Sequence, residues 1–230
     1  PKEWDYNAVQ LDVYGDPQKT FDNYNIMLDR GFTDIMPVFT RGDKLSQLDY
    51  FYKKTDYIMF GGIAIGGSNQ NYVKWFCENN NNRKAHWLGF VNILFMKKYK
   101  PYSVDSSSIH NVSRFGVMQL YTSFGSITGI QKKEFKNINT KFIELFKLNG
   151  ITKEEVKELR TDDAWKGKYD KDNKKGLFAY INYRSNLLRT IAIEQNLGTK
   201  VYHAIANDQQ LKAIYQSHDE IIERKLYERH

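Results

Sequence analysis

AHWLGFVNILFMKKYKPYSVDS, residues 85–106, sets two short apolar runs, 85–91 and 102–106, on either side of a stretch patterned like a helix. Parallel strands cannot be joined by a tight turn and need a crossover of a dozen or so residues, so strand, helix and strand in this order read as one βα repeat of a parallel sheet. The same alternation runs upstream, with strand-like runs at 8–14, 34–40 and 57–64. A helical pattern at 20–30 ends at Gly31, a natural C-terminal stop. Each run passes directly into polar or glycine residues, and no glycine-rich dinucleotide fingerprint follows the first, which favours a barrel over a doubly wound sheet.

Downstream, residues 115–121 form another strand-like run, followed by a lysine-rich helical region over 132–160 in which Thr152 and Glu155 have capping-box spacing. Residues 161–176 carry nine charged side chains and few apolar ones, the composition of an exposed or partly disordered loop. A long helix over 177–196, a last strand over 200–206 and a charged helix complete the chain. About seven strands result, short of a closed eight-stranded barrel. With Pro1 in place of an initiator and a strand-like run within ten residues of it, the missing strand is expected upstream, in a longer protein. The expectation is an α/β protein, a TIM-type (β/α) barrel lacking its first strand, with a helical C-terminal insertion. Residues 1–130 would supply the barrel core, 131–176 the insertion with its exposed loop, and 177–230 the elements that complete the same domain.

Cys77 is the single cysteine, which excludes an internal disulfide and a thiolate-rich zinc site and fits a reducing, cytoplasmic setting. No apolar run approaches the roughly 20 residues of a membrane span, so no membrane partner is expected. A net charge of +7 and a pI near 9.2 suit a polyanionic partner, although abundant lysine has the same effect on charge without any such partner.

Two strand-end carboxylates stand out. Asp12, in LDVYGD, follows the first run, and Asp105, in YSVDSSS, ends a later one beside serine hydroxyls that would keep it ionised. Taken alone, each also reads as a turn or capping residue, Asp12 more so than Asp105. As a pair facing one mouth they suit glycosyl transfer, one acting as nucleophile at an anomeric carbon and the other holding the displaced group. The GGIAIGG run of 61–67 would let backbone amides approach a flat or anionic ligand, or simply supply positive φ angles. His86 faces a site or fills the core. Arg114, nine residues after Asp105, is positioned to hold a phosphate or to form a surface ion pair. No metal or other cofactor is implied.

In order and spacing, these motifs resemble the tRNA-guanine transglycosylase superfamily and its phage and DNA-modifying relatives, which exchange guanine for a 7-deazaguanine base. LDVYGD resembles that family's FDEC-like run, GGIAIGG its GGLAVGE, and AHWLGFV its HYLMGVG. Asp105 through Arg114 resembles its DCVxPTRxxR nucleophile segment. The resemblance covers about residues 8–130. It implies Asp105 as nucleophile, Asp12 as the carboxylate reading the purine edge, and Gly61, Gly62, Phe39 and His86 as the base pocket, with Arg114 on phosphate. Phe39 stands where the family has glutamine, Gly67 where it has glutamate and Asn111 where it has the first arginine. The zinc cysteines are absent, and with them the subdomain that supports usual tRNA recognition.

The expected partners are therefore DNA or tRNA, a 7-deazaguanine base and, as a homodimer, a second copy of the chain. Two rivals share these residues: a nucleoside hydrolase or DNA glycosylase in which water completes the second step, and a catalytically degenerate nucleic-acid-binding or phage structural protein.

Overall fold

The computed structural model describes residues 8–13, 15–63, 70–107, 109, 115–135, 140–167, 169–170 and 175–229. The chain divides into two compact units, Pro1–Asp105 and Ser106–His230.

The first unit alternates strand and helix in chain order: β1 (Ala8–Val9), α1 (Pro17–Asp29), β2 (Ile35–Met36), β3 (Val38–Phe39), α2 (Leu45–Tyr52), β4 (Tyr57–Phe60), α3 (Gln70–Asn80), β5 (Lys84–Trp87), α4 (Ile93–Tyr99) and β6 (Ser103–Ser106). All strand pairs in this unit are parallel, β1 with β2 and then β3–β4–β5–β6, with Phe39 opposite Phe60, Met59 opposite His86 and His86 opposite Ser103. Pro37 separates β2 from β3 because it has no N–H to give the ladder. The buried Gln10 side chain spans the break: its Oε1 accepts from Val38 N at 2.8 Å and its Nε2 donates to Thr20 O, while Gln10 N bonds Met36 O at 3.0 Å.

Ile58, Met59 and Phe60 of β4 are all buried, as expected of a parallel strand covered on both faces. On α3, Val73 and Phe76 are spaced three apart and so share a face, and the Phe76 ring stacks on Phe60 with centroids 3.6 Å apart. Asp16 and Asn92 cap α1 and α4 through backbone amides. The α/β class and the parallel sheet are thus as the sequence predicts. The strands are shorter than their apolar runs, and closure into a barrel is not among the described pairings.

The second unit is built around α8. Its elements are β7 (Val117–Tyr121), β8 (Ile127–Gln131), α5 (Lys132–Phe135), α6 (Thr140–Leu148), α7 (Lys153–Glu158), a 3₁₀ turn (Asp163–Trp165), α8 (Leu177–Leu197), β9 (Lys200–His203), α9 (Asp208–Glu223) and a final 3₁₀ turn (Leu226–Arg229). The run expected over 115–121 as one more strand in the βα series instead pairs antiparallel with β8. Residues 122–126 are too few for a crossover, so the chain can only fold back on itself. The free edge of β7 is closed by side chains: Asn182 of α8 bonds Gln119 N and Val117 O, and Asn149 bonds Tyr121 N and Tyr121 O, all at 2.6–3.0 Å. Unpaired strand groups are thereby satisfied without a third strand.

The Thr152–Glu155 capping box forms as expected. In the charged stretch 161–176, Asp162, Asp163, Lys166 and Lys175 are exposed as expected of a surface loop, and residues 168 and 171–174 lie outside the described residues. Ala164 and Trp165 lie in the core, with the Trp165 ring stacked on Phe178 and its Nε1 donating to Leu159 O at 2.7 Å. One tryptophan buries enough surface to hold its turn against the surrounding charge.

Arg184 of α8 is fully buried and bonds Glu155 at 3.1 Å and Glu220 at 2.8 Å. Replacing it with Met is expected to cost about 3 kcal/mol, the low end for breaking a buried pair, since both carboxylates keep some access to water. Lys132→Ala, which removes the exposed pair with Asp162, should cost under about 1 kcal/mol. Urea midpoints of the two variants check the difference.

Candidate functional site at the C-terminal edge of the parallel sheet

Side chains alternate along a strand, so Ser103 and Asp105 of β6 lie on one face. The parallel register sets His86 of β5 beside them. Its imidazole joins both: Nδ1 lies 2.7 Å from Ser103 Oγ, and Nε2 lies 3.0 Å from Asp105 Oδ1. Tyr57, at the start of β4, extends the chain with its hydroxyl 2.6 Å from Ser103 Oγ. Gly89 follows β5 with φ of 66°, a left-handed conformation that glycine adopts without strain, and its N–H donates to Asp105 Oδ1 at 2.7 Å.

A neutral His86 carrying its proton on Nε2 lets every hydrogen run one way, from Tyr57 O–H to Ser103 Oγ, from Ser103 O–H to His86 Nδ1, and from His86 Nε2–H to the carboxylate. Burial pushes the Asp105 carboxyl up, but the bonds from His86 and Gly89 outweigh it and hold the group below the ordinary carboxylate range. Asp105 is therefore ionised at neutral pH. The donors from His86 and Gly89 both land on Oδ1.

Serine, histidine and aspartate in one chain match the residue types of a hydrolytic triad, but Ser103 is fully buried between Tyr57 and His86 and cannot meet a substrate. Asp105, with 30% of its side chain exposed, is the end of the chain open to chemistry.

The remaining expected residues are placed as follows. Asp12 is exposed in the segment after β1, which pairs with β2 in a two-stranded sheet distinct from the sheet of β3 to β6 that carries Asp105. No hydrogen bond or ion pair joins it to Asp105. Phe39 is fully buried, packed near Trp75 and Phe76 of α3 in the helix-facing core. Gly61 and Gly62 follow β4 where the backbone is tight: a Cβ at Gly61 would sit 3.0 Å from Val38, and one at Gly62, where φ is 70°, 2.9 Å from Thr40 Oγ1. Arg114, Asn111 and the second half of the GGIAIGG run lie outside the described residues.

Ser103, Tyr57 and Gly89 escaped the sequence reading. Period-two spacing from Asp105 would have found Ser103, whereas Tyr57 and Gly89 needed the register between strands. A second unusual carboxyl, Asp43, follows β3. Its Oδ2 accepts from Thr40 N at 2.7 Å, while its Oδ1 is buried with no hydrogen-bond partner among the described residues. Burial pushes it up to about 6.

The two carboxyls should show opposite pH signatures. Asp105→Asn is expected to lose roughly 1–2 kcal/mol at pH 7, and the deficit should shrink toward pH 3 as the wild-type group protonates through its depressed pKa. Asp43→Asn should be favoured over the wild type at pH 7, with the advantage fading between pH 6 and 4 as the wild-type penalty disappears. Urea unfolding across pH reads both. Among the described residues no cluster of three or more histidine, cysteine and carboxylate side chains forms a metal site, and no helix is long and apolar enough to cross a membrane. No protein-family model, curated protein or solved structure matches this chain.

Proposed function

We propose that the protein is a base-exchange glycosyltransferase that replaces guanine in DNA or RNA with a 7-deazaguanine base. The observation that carries this reading is Asp105, an ionised, part-exposed carboxylate with one oxygen fixed by His86 and Gly89. In the first step Asp105 Oδ2 attacks the sugar C1′, the bond to the guanine nitrogen breaks, and that nitrogen keeps the electron pair and takes a proton. In the second, the incoming base nitrogen attacks C1′ and gives up its proton as the aspartate leaves. A carboxylate held below its ordinary pKa is a weaker nucleophile but a better leaving group, which suits a covalent intermediate that must reopen.

His86 is a positioning residue, with its ring fixed by Ser103 and Tyr57 so that Oδ1 keeps its direction. Curled into a TIM-type (β/α) barrel, the parallel strands would direct their C-terminal ends at one mouth, bringing Asp12 and the Gly61–Gly62 backbone toward the base that Asp105 releases. A base in a duplex must first be flipped out, and the excess of positive charge suits a nucleic-acid partner.

Labelled guanine incubated with the protein and either DNA or tRNA tests this. Incorporation is expected into one polymer, falling by at least about a thousandfold in Asp105→Asn. Release of guanine without incorporation would make the protein a glycosylase, and neither result with a folded chain would sink the reading. In His86→Ala the Asp105 pKa should rise, so the acid limb of the exchange rate against pH should move upward. An unmoved limb would remove His86 from the site.

A further inference from the structure

Ser123–Ser126 reverse the chain between β7 and β8, with Ser126 N donating to Ser123 O at 2.8 Å. The two central residues, Phe124 and Gly125, have φ of 47° and 79°. A two-residue hairpin turn with both centres left-handed is filled at least strain by Asn-Gly or Gly-Gly. Gly125 meets that demand and Phe124 does not, since its Cβ crowds the backbone there. The ring also stays 65% exposed, so burial does not offset the strain. The surroundings nevertheless fix this turn: Thr122 N bonds Ser126 O at 3.0 Å, and Arg189 Nε of α8 donates to Gly125 O at 2.8 Å. Held in place by its neighbours, this strained turn presents an exposed aromatic ring.

Phe124 borders a cavity of about 350 Å³ within the second unit. Leu188 and Ala192 of α8, 1% and 5% exposed, form an apolar wall with Tyr227 of the final turn. Gln195 and Asn196, from the last turn of α8, add two carboxamides. Asn196 Nδ2 is committed to Ala192 O at 2.7 Å, which leaves its oxygen as an acceptor. No charged side chain is among the described residues lining the cavity. Volume, apolar lining and a few convergent polar groups are the features of a small-molecule site, and the missing charge selects a neutral ligand. Carboxamides recognise a hydrogen-bonding edge, and aromatic rings recognise a flat face.

We propose that this cavity binds a neutral, planar heterocycle of purine size, its face against Phe124 and its polar edge on the Gln195 and Asn196 carboxamides. Every described residue lining the cavity belongs to the second unit, and the proposal does not depend on any reaction at Asp105.

Free adenine, titrated into the full chain and followed by ligand-observed NMR, tests it, with benzoate as a charged ring of similar flatness. Adenine is expected to bind at one site and benzoate not to. Phe124→Gly puts the favoured residue into the turn, so its melting temperature should hold or rise while adenine affinity falls about tenfold or more, as loss of one stacked ring implies. Ala192→Leu, which fills the wall, should weaken adenine similarly, and Asp105→Asn should leave it unchanged. The proposal fails if adenine does not bind at millimolar concentration, if a folded Phe124→Gly binds it as tightly as wild type, if benzoate binds equally well, or if Asp105→Asn abolishes binding.

Discussion

The bond between His86 and Asp105 is the contact on which the candidate site depends. It exists because β5 and β6 are parallel and in a register that sets the imidazole beside Ser103, with Asp105 two residues further along the same face. A slip of one residue between the two strands would put His86 and Asp105 on opposite faces and leave the histidine without its acceptor. The register is set in turn by the apolar side chains of β4 and β5, and by Phe60 and Phe76 stacked between sheet and helix. Core packing and site geometry are thus one constraint. The polar chain from Tyr57 to Asp105 is tolerated in a largely buried position because each member has a partner.

The second unit relies on buried polar groups in another way. Its core is aromatic and aliphatic, yet α8 also buries Asn182, Arg184, Ser185 and Asn186. Asn182 completes the edge of β7, Ser185 bonds Asn149, which closes the same edge, and Arg184 ties α7 and α9 to α8 through Glu155 and Glu220. Glu155 also completes the capping box of α7, so helix initiation and ion pairing share one carboxylate. Such groups add less net stability than apolar packing but strongly disfavour any arrangement in which they lose their partners. They specify how the helices meet.

Among the described residues, Asn81, Asn82, Lys100, Phe124 and Lys225 take positive φ, as do several glycines. Gly89 takes a left-handed conformation and directs its amide at Asp105. Gly62 lies close to Thr40 and Arg41, where any side chain would collide. Phe124 adopts the same region without glycine's freedom, which sets it apart from an ordinary turn residue.

Much of this was legible in the residues themselves. Alternation of apolar runs with helical patterns located β1 through β6 and their helices, because burying a parallel strand on both faces requires continuous apolar sequence and its crossover requires length. The Thr152–Glu155 box and the helix ending at Gly198 were readable because caps are local chemistry. Strand ends were less legible: the runs overshoot, since apolar residues continue into buried loops. The composition of the stretch 161–176 announced its exposed charges but not the burial of Trp165, because composition averages over a segment whereas one side chain decides where its turn packs. At the site, the sequence identified Asp105 and His86 as separate residues, while the hydrogen bonds that join them, and bring in Ser103, Tyr57 and Gly89, arise only when strands distant in the chain take one register. The sequence by itself determined the class of fold and the chemical groups available, because periodicity and residue type are local properties. Only the tertiary structure decided which groups meet and that Ser103 is buried while Asp105 is open, because both follow from contacts between residues far apart in the chain.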